Sequence, residues 1–264
     1  MFFEGFTLTT REINGVVYRF RSEGTGRQTV MLLHGRPETH AAWHHVGPFL
    51  AADYRVICPD LHPERTPAEQ ASDLLELATV TGHDRLVIAG QDYGAHLACQ
   101  IAAAAPERVQ AVIVMEALPA PDHTGRDDMA FSLSQYDCCW FGQLHPKPES
   151  QTIPVPSEWL ENPLPSESIF APEAVADYLS ASIWQYAVPV IWPVPRARLT
   201  CPLMALWANS GRIGGWYNPL TLWRETTTGE ISGHPISGRH FLAEETPVDV
   251  GNSIRTFMQH LTSA

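Results

Sequence analysis

Four short apolar runs in the first half of the chain constrain its fold more than any other feature. They lie at 29–33, 54–58, 85–89 and 109–115, and carry almost no charge. Continuous apolar runs of that length suit strands buried on both faces. Between them the pattern turns helical, at 41–52, 67–79 and 94–105. Pro67 fits the first turn of its helix, and 94–105 is built mostly of small residues. Strands alternating with helices predict an α/β fold, a mostly parallel sheet with helices on both faces. The opening differs. Segments 7–12 and 16–21 flank Asn14-Gly15, a tight-turn pair that predicts an antiparallel hairpin.

The alternation stops after Leu118. Residues 119–195 hold 12 of the 22 prolines and four of the eight tryptophans. It resumes at 203–207, and a strand near 229–232 and a helix over 247–261 would close the fold. We therefore expect a core of 1–118 and 200–264, with 119–199 as a cap inserted over the sheet.

Net charge is −12, which argues against a nucleic-acid binder working by phosphate neutralisation. The 44 % hydrophobic content argues against disorder. No window approaches the roughly 18 apolar residues of a membrane span. Five cysteines, an odd number without metal spacing, and a start lacking a basic leader predict reduced thiols and a cytoplasmic location. His40 and His44 stand four apart, but Ala41 follows His40 where a zinc-protease motif needs Glu. No metal or organic cofactor is expected. The expected partner is a small-molecule substrate, with a homodimer left open.

The chemistry concentrates at 87–96, Val-Ile-Ala-Gly-Gln-Asp-Tyr-Gly-Ala-His. A buried strand runs into a helix through Gly90-x-Asp92-x-Gly94. Glycines two before and two after the central residue permit a sharp turn that lifts one side chain above the strand ends. The helix dipole favours a charged, exposed carboxylate there. A carboxylate nucleophile attacks carbon, displaces a leaving group and leaves an ester.

Here the chain resembles the α/β-hydrolase fold family, in its aspartate-nucleophile branch of epoxide hydrolases, haloalkane dehalogenases and fluoroacetate dehalogenases. Three more segments carry the resemblance. Residues His34-Gly35-Arg36-Pro37 are similar to the family's oxyanion loop. Glu116, closing the run 109–115, is similar to the acid some dehalogenases hold after that strand. Residues 238–245, Gly-Arg-His-Phe-Leu-Ala-Glu-Glu, resemble the segment that carries the base. The resemblance implies Asp92 as nucleophile, His240 as base, Glu116 as its orienting acid, and backbone N–H groups of Arg36 and Tyr93 as the oxyanion hole. His34 is expected to be structural. Many relatives place the acid within Leu-Trp-Gly-x-x-Asp. The matching 206–211, Leu-Trp-Ala-Asn-Ser-Gly, has no carboxylate, which favours Glu116.

Substrate class is less marked. Arg36 and Tyr93 stand where haloalkane enzymes have Asn and Trp. Tyr93 and His96 stand where fluoroacetate enzymes have arginines. That leaves epoxide opening on a bulky or aromatic substrate as the leading expectation. Carbon–halogen hydrolysis and a non-hydrolytic cyclase or isomerase are the alternatives. Donors for the leaving group are sought in the insertion, at Tyr186, Tyr178, Trp140 and Trp184.

Overall fold

A computed structural model describes residues 2–36, 38–62, 64–119, 169–187 and 197–263. Eight strands form one sheet: β1 (Thr7–Ile13), β2 (Val16–Glu23), β3 (Thr29–Leu33), β4 (Arg55–Pro59), β5 (Leu86–Gln91), β6 (Val109–Met115), β7 (Leu203–Ala208) and β8 (Ile231–Ile236). Their order is β1-β2-β4-β3-β5-β6-β7-β8. The β1–β2 hairpin is antiparallel and joins β4 antiparallel; every later pairing is parallel. Strands β3 and β5 are wholly buried, as continuous apolar runs require.

The described helices are α1 (Val46–Ala51), α2 (Pro67–Val80), α3 (Tyr93–Ala104), α4 (Pro172–Ala187), α5 (Arg212–Trp216), α6 (Pro219–Thr226), α7 (Leu242–Glu245) and α8 (Pro247–Ser263). The sequence starts α2 as read. Thr66 accepts from the Glu69 N–H, Glu69 reaches back to the Thr66 N–H, and Pro67 fills the first turn. The expected helix over 41–52 is broken into a 3₁₀ turn, His40–Trp43, and the short α1. Pro48 has no N–H to give the His44 carbonyl, so one continuous helix would lose that bond. The last strand lies slightly later than 229–232, at Ile231–Ile236. None of the described helices is long and apolar enough to cross a membrane.

Two apolar clusters sandwich the sheet. One joins Trp43, Leu50, Val87, Ile113 and Ile254. The other joins Tyr18, Ile57, Leu74, Leu97 and Trp223. From the stretch expected to form a cap, Phe170, Ala174 and Tyr178 are buried in the first cluster. Helix α4 is also held by charge. Both terminal nitrogens of Arg19 donate to Asp177, at 2.8 and 3.0 Å, and the Thr39 hydroxyl donates to the same carboxylate at 2.6 Å.

The strand order decides where a site can form. The chain leaves β3 to one side for β4, and then returns to β3's other side for β5. The connections leaving β3 and β5 thus start side by side and run to opposite sides of β3, and open α/β sheets bind ligands at the carboxyl ends of strands beside such a switch.

Candidate active site

The elbow after β5 forms because glycine is forced at two positions. A Cβ on Gly90 would lie 2.2 Å from the Gly94 carbonyl oxygen, and one on Gly94 would lie 2.4 Å from that of Leu33. No side chain fits such gaps. Between them Asp92 takes φ 49° and ψ −117° at the cap of α3, a region that costs a non-glycine residue about 1–3 kcal/mol. Four described non-glycine residues have positive φ, and two are Asp92 and Glu116. Strained backbone of this kind concentrates at working sites.

The loop leaving β3 meets the elbow. The Arg36 N–H donates to Asp92 Oδ2 at 3.3 Å, leaving Oδ1 for other work. Tyr93 is the first residue of α3, a position whose N–H has no intrahelical acceptor. The Tyr93 ring is buried beneath the Arg36 guanidinium, whose carbon lies 5.4 Å from the ring centre. The Tyr93 hydroxyl accepts from Gln70 at 2.8 Å. His34 is buried and bridges inside this turn. Its Nε2 accepts the Leu61 N–H at 2.9 Å, which leaves Nδ1–H to donate to the Gly35 carbonyl at 2.7 Å. Burial pushes His34 down to about 4, so it stays neutral and structural at pH 7.

Glu116 follows β6 and His240 follows β8. Glu116 Oε1 accepts the Ala208 N–H at 2.6 Å, and Oε2 lies 3.3 Å from His240 Nδ1. Gly211 stands where the family pattern would carry Asp, and a Cβ there would lie 3.5 Å from Glu116 Oε1. The Glu116 carboxylate thus fills the space beside that position. Partial loss of water contact pulls the half-exposed His240 imidazole down. The hydrogen bond to Glu116 and the negative fields of Asp92, Glu116 and Glu38 outweigh it and push it up to about 9.

Glu38 is a buried acid that the sequence analysis did not single out. Its Oε2 accepts the Gly35 N–H at 3.1 Å and Gln91 Nε2 at 3.4 Å. Burial pushes it up to about 7 against the pull of His240 and the Gly35 N–H, with Asp92 adding to the rise. The only sequence signal was its place two residues beyond Arg36, which says nothing of burial.

Of the candidate donors, the Tyr178 hydroxyl is buried and donates to Glu244 at 2.5 Å. Trp140 lies outside the described residues. Trp184 and Tyr186 sit on α4 at positions where the side chain is not described. His40 and His44, the pair with helical metal spacing, are both buried. Among the described residues one grouping has metal-like proximity, His40, Asp60 and Asp177. It already holds a cation, because Arg19 donates to both carboxylates. Burial would raise Asp60, but His40 and Arg19 hold it well below the usual carboxylate range.

Known proteins share this architecture. The family model for the alpha/beta hydrolase fold matches residues 28–137. A solved structure from Nostoc sp PCC 7120, provisionally described as an alpha/beta hydrolase, superposes with TM-score 0.87 at 26 % identity, over 98 % of this chain and 99 % of that one. The chain has the α/β-hydrolase fold. A Pseudomonas aeruginosa structure provisionally named an epoxide hydrolase aligns to this chain with TM-score 0.87 at 25 % identity, over 100 % of this chain and 98 % of that one. Fluoroacetate dehalogenase of Burkholderia sp is 22 % identical over 99 % of this chain and 96 % of its own length. Soluble epoxide hydrolase of Corynebacterium sp. is 30 % identical, but over 40 % of each chain.

Proposed function

We propose that this α/β hydrolase opens a bond at carbon through a covalent ester on Asp92, with an epoxide as the first substrate class. The observation that carries the reading is the pairing of a strained elbow carboxylate with a histidine–glutamate pair at the same sheet edge. Asp92 Oδ1 attacks the substrate carbon, the carbon–oxygen bond breaks, and the ring oxygen leaves as an alkoxide that takes up a proton from solvent. His240 then removes a proton from water, and the resulting hydroxide attacks the carbonyl carbon of the Asp92 ester. The developing oxyanion takes the position of Oδ2, on the Arg36 N–H, with the Tyr93 N–H as the proposed second donor. Collapse expels the diol and restores the Asp92 carboxylate beside a protonated His240.

The electrostatics favour that order of events. Before attack, the negative charge of Asp92 helps keep His240 protonated and unable to act as base. Ester formation removes that charge, so the imidazole is released for general-base work when water must be activated.

Carbon–halogen hydrolysis is the second reading, favoured by the full-length similarity to a fluoroacetate dehalogenase. It uses the same two steps with halide as the leaving group. A panel of epoxides and organohalides assayed in oxygen-18 water separates them. Diol without halide release supports epoxide opening, and stoichiometric halide supports the second reading. A single turnover through the ester puts labelled oxygen into Asp92 and unlabelled oxygen into the product. Label in the first-turnover product instead would rule out the ester route.

A further inference from the structure

The hydroxyl of Tyr178 is spent inside the protein. It donates to Glu244 Oε1 at 2.5 Å, with the tyrosine and the carboxyl group both buried. Glu244 belongs to α7, four residues after His240. Its other oxygen lies 3.5 Å from His44 Nδ1, while His44 Nδ1 also meets the Ala41 carbonyl at 3.0 Å. Burial, with the neighbouring Glu38, pushes Glu244 up to about 8 despite the tyrosine's hydrogen bond. Burial, helped by His45, pushes His44 down to about 4. At pH 7 the contact is therefore one between neutral groups, a buried acid accepting a phenol.

A second line of contacts runs from the same tyrosine to the base. Tyr178 meets Phe170 edge-on with ring centres 6.0 Å apart, Phe170 meets Phe241 at 5.0 Å, and Phe241 meets His240 at 5.0 Å. Beneath the loop, Glu245 accepts the N–H groups of Arg239 and Phe241 at 3.0 and 3.1 Å. His240 thus sits on a loop braced from below by Glu245 and from the side by α4. Its bond to Glu116 is long, at 3.3 Å, so a small tilt of the ring would break it.

We propose that the Tyr178–Glu244 hydrogen bond is a positioning latch for the base, fixing the loop that carries His240 and governing hydrolysis of the ester and not its formation. It rests on the ester reading above. Tyr178 then acts in the second step, where a donor to the leaving group would act in the first. Neither Tyr178 nor Glu244 is a catalytic residue, because each acts through the His240 loop.

The test uses Tyr178→Phe, Glu244→Leu and Glu244→Gln in the full chain, each checked for folding by its melting temperature. The first readout needs no substrate: His240 is titrated by nitrogen-15 NMR. Loosening the Glu116 bond should lower the His240 pKa in Tyr178→Phe and Glu244→Leu by about one unit, a tenfold change in acid constant. Glu244→Gln still accepts the hydroxyl and should recover most of that loss. The second readout is single-turnover reaction with styrene oxide. Small misplacements of a reacting group cost on the order of tenfold and up to about 10²-fold, so Tyr178→Phe should slow ester hydrolysis about tenfold with ester formation little changed. A folded Tyr178→Phe with an unaltered His240 titration overturns the latch. So does slowed formation with normal hydrolysis, which would return Tyr178 to the leaving group. Absence of an adduct in a His240→Gln control would count against the ester reading with this epoxide, while the titration still decides the latch.

Discussion

Replacing Asp92 with Asn imitates the charge of the proposed intermediate, a neutral carbonyl compound in place of a carboxylate. His240 is pushed up to about 9 by Glu116, Asp92 and Glu38 acting against its partial loss of water contact. At that value only about 3 % of the imidazole is neutral at pH 7.5, from the ordinary titration relation. A nearby opposite charge is worth about one to three pKa units. Deleting the Asp92 charge should therefore bring His240 to roughly 6–8, because the Glu116 bond and the Glu38 field are retained. With a fall of two units, about three quarters of the imidazole is neutral at pH 7.5, roughly 25 times more base than before. The assay is nitrogen-15 NMR titration of His240 in the wild-type and Asp92→Asn chains. A His240 that still titrates at about 9 in the variant would refute the claim that the nucleophile's charge controls the base.

Glu116→Gln should keep the fold, since the amide oxygen can still accept the Ala208 N–H, and should lose most turnover by steady-state assay, with a smaller loss than Asp92→Ala. Melting temperature should fall steadily between about pH 6.5 and 9. Glu244 and His240 have folded pKa values raised to about 8 and 9, so the stability tied to their protonated forms is lost as pH rises, from about 4.5 to 8 for Glu244 and from about 6.5 to 9 for His240. Glu244→Gln should flatten part of that decline. On the acid side, His34 and His44 are held down to about 4, so their contribution is lost as pH falls from about 6.5 through 4.

Much of the fold was legible because its strands are buried on both faces and so stand out as uninterrupted apolar runs. The elbow was legible for a different reason. A turn that brings a Cβ within 2.2 Å of backbone leaves no alternative to glycine, and the constraint is written directly into the sequence. The break at Pro48 was readable in principle but outweighed by the apolar pattern around it. The short helices α5 and α6 went unread, since five and eight residues offer too few turns to show a period. The burial of Glu38 and Glu244 was not legible, nor was the bond that occupies the Tyr178 hydroxyl. They depend on contacts 53 to 66 residues away, and an acid reads locally as surface.

The central claim is an ester on Asp92 that His240 resolves. Intact-mass measurement of His240→Gln after exposure to substrate tests it most directly. The account predicts a stable adduct on Asp92. Its mass should equal the whole epoxide, or an organohalide less hydrogen halide, and turnover should stop after the first event. Normal turnover by this variant with no mass increase would contradict it.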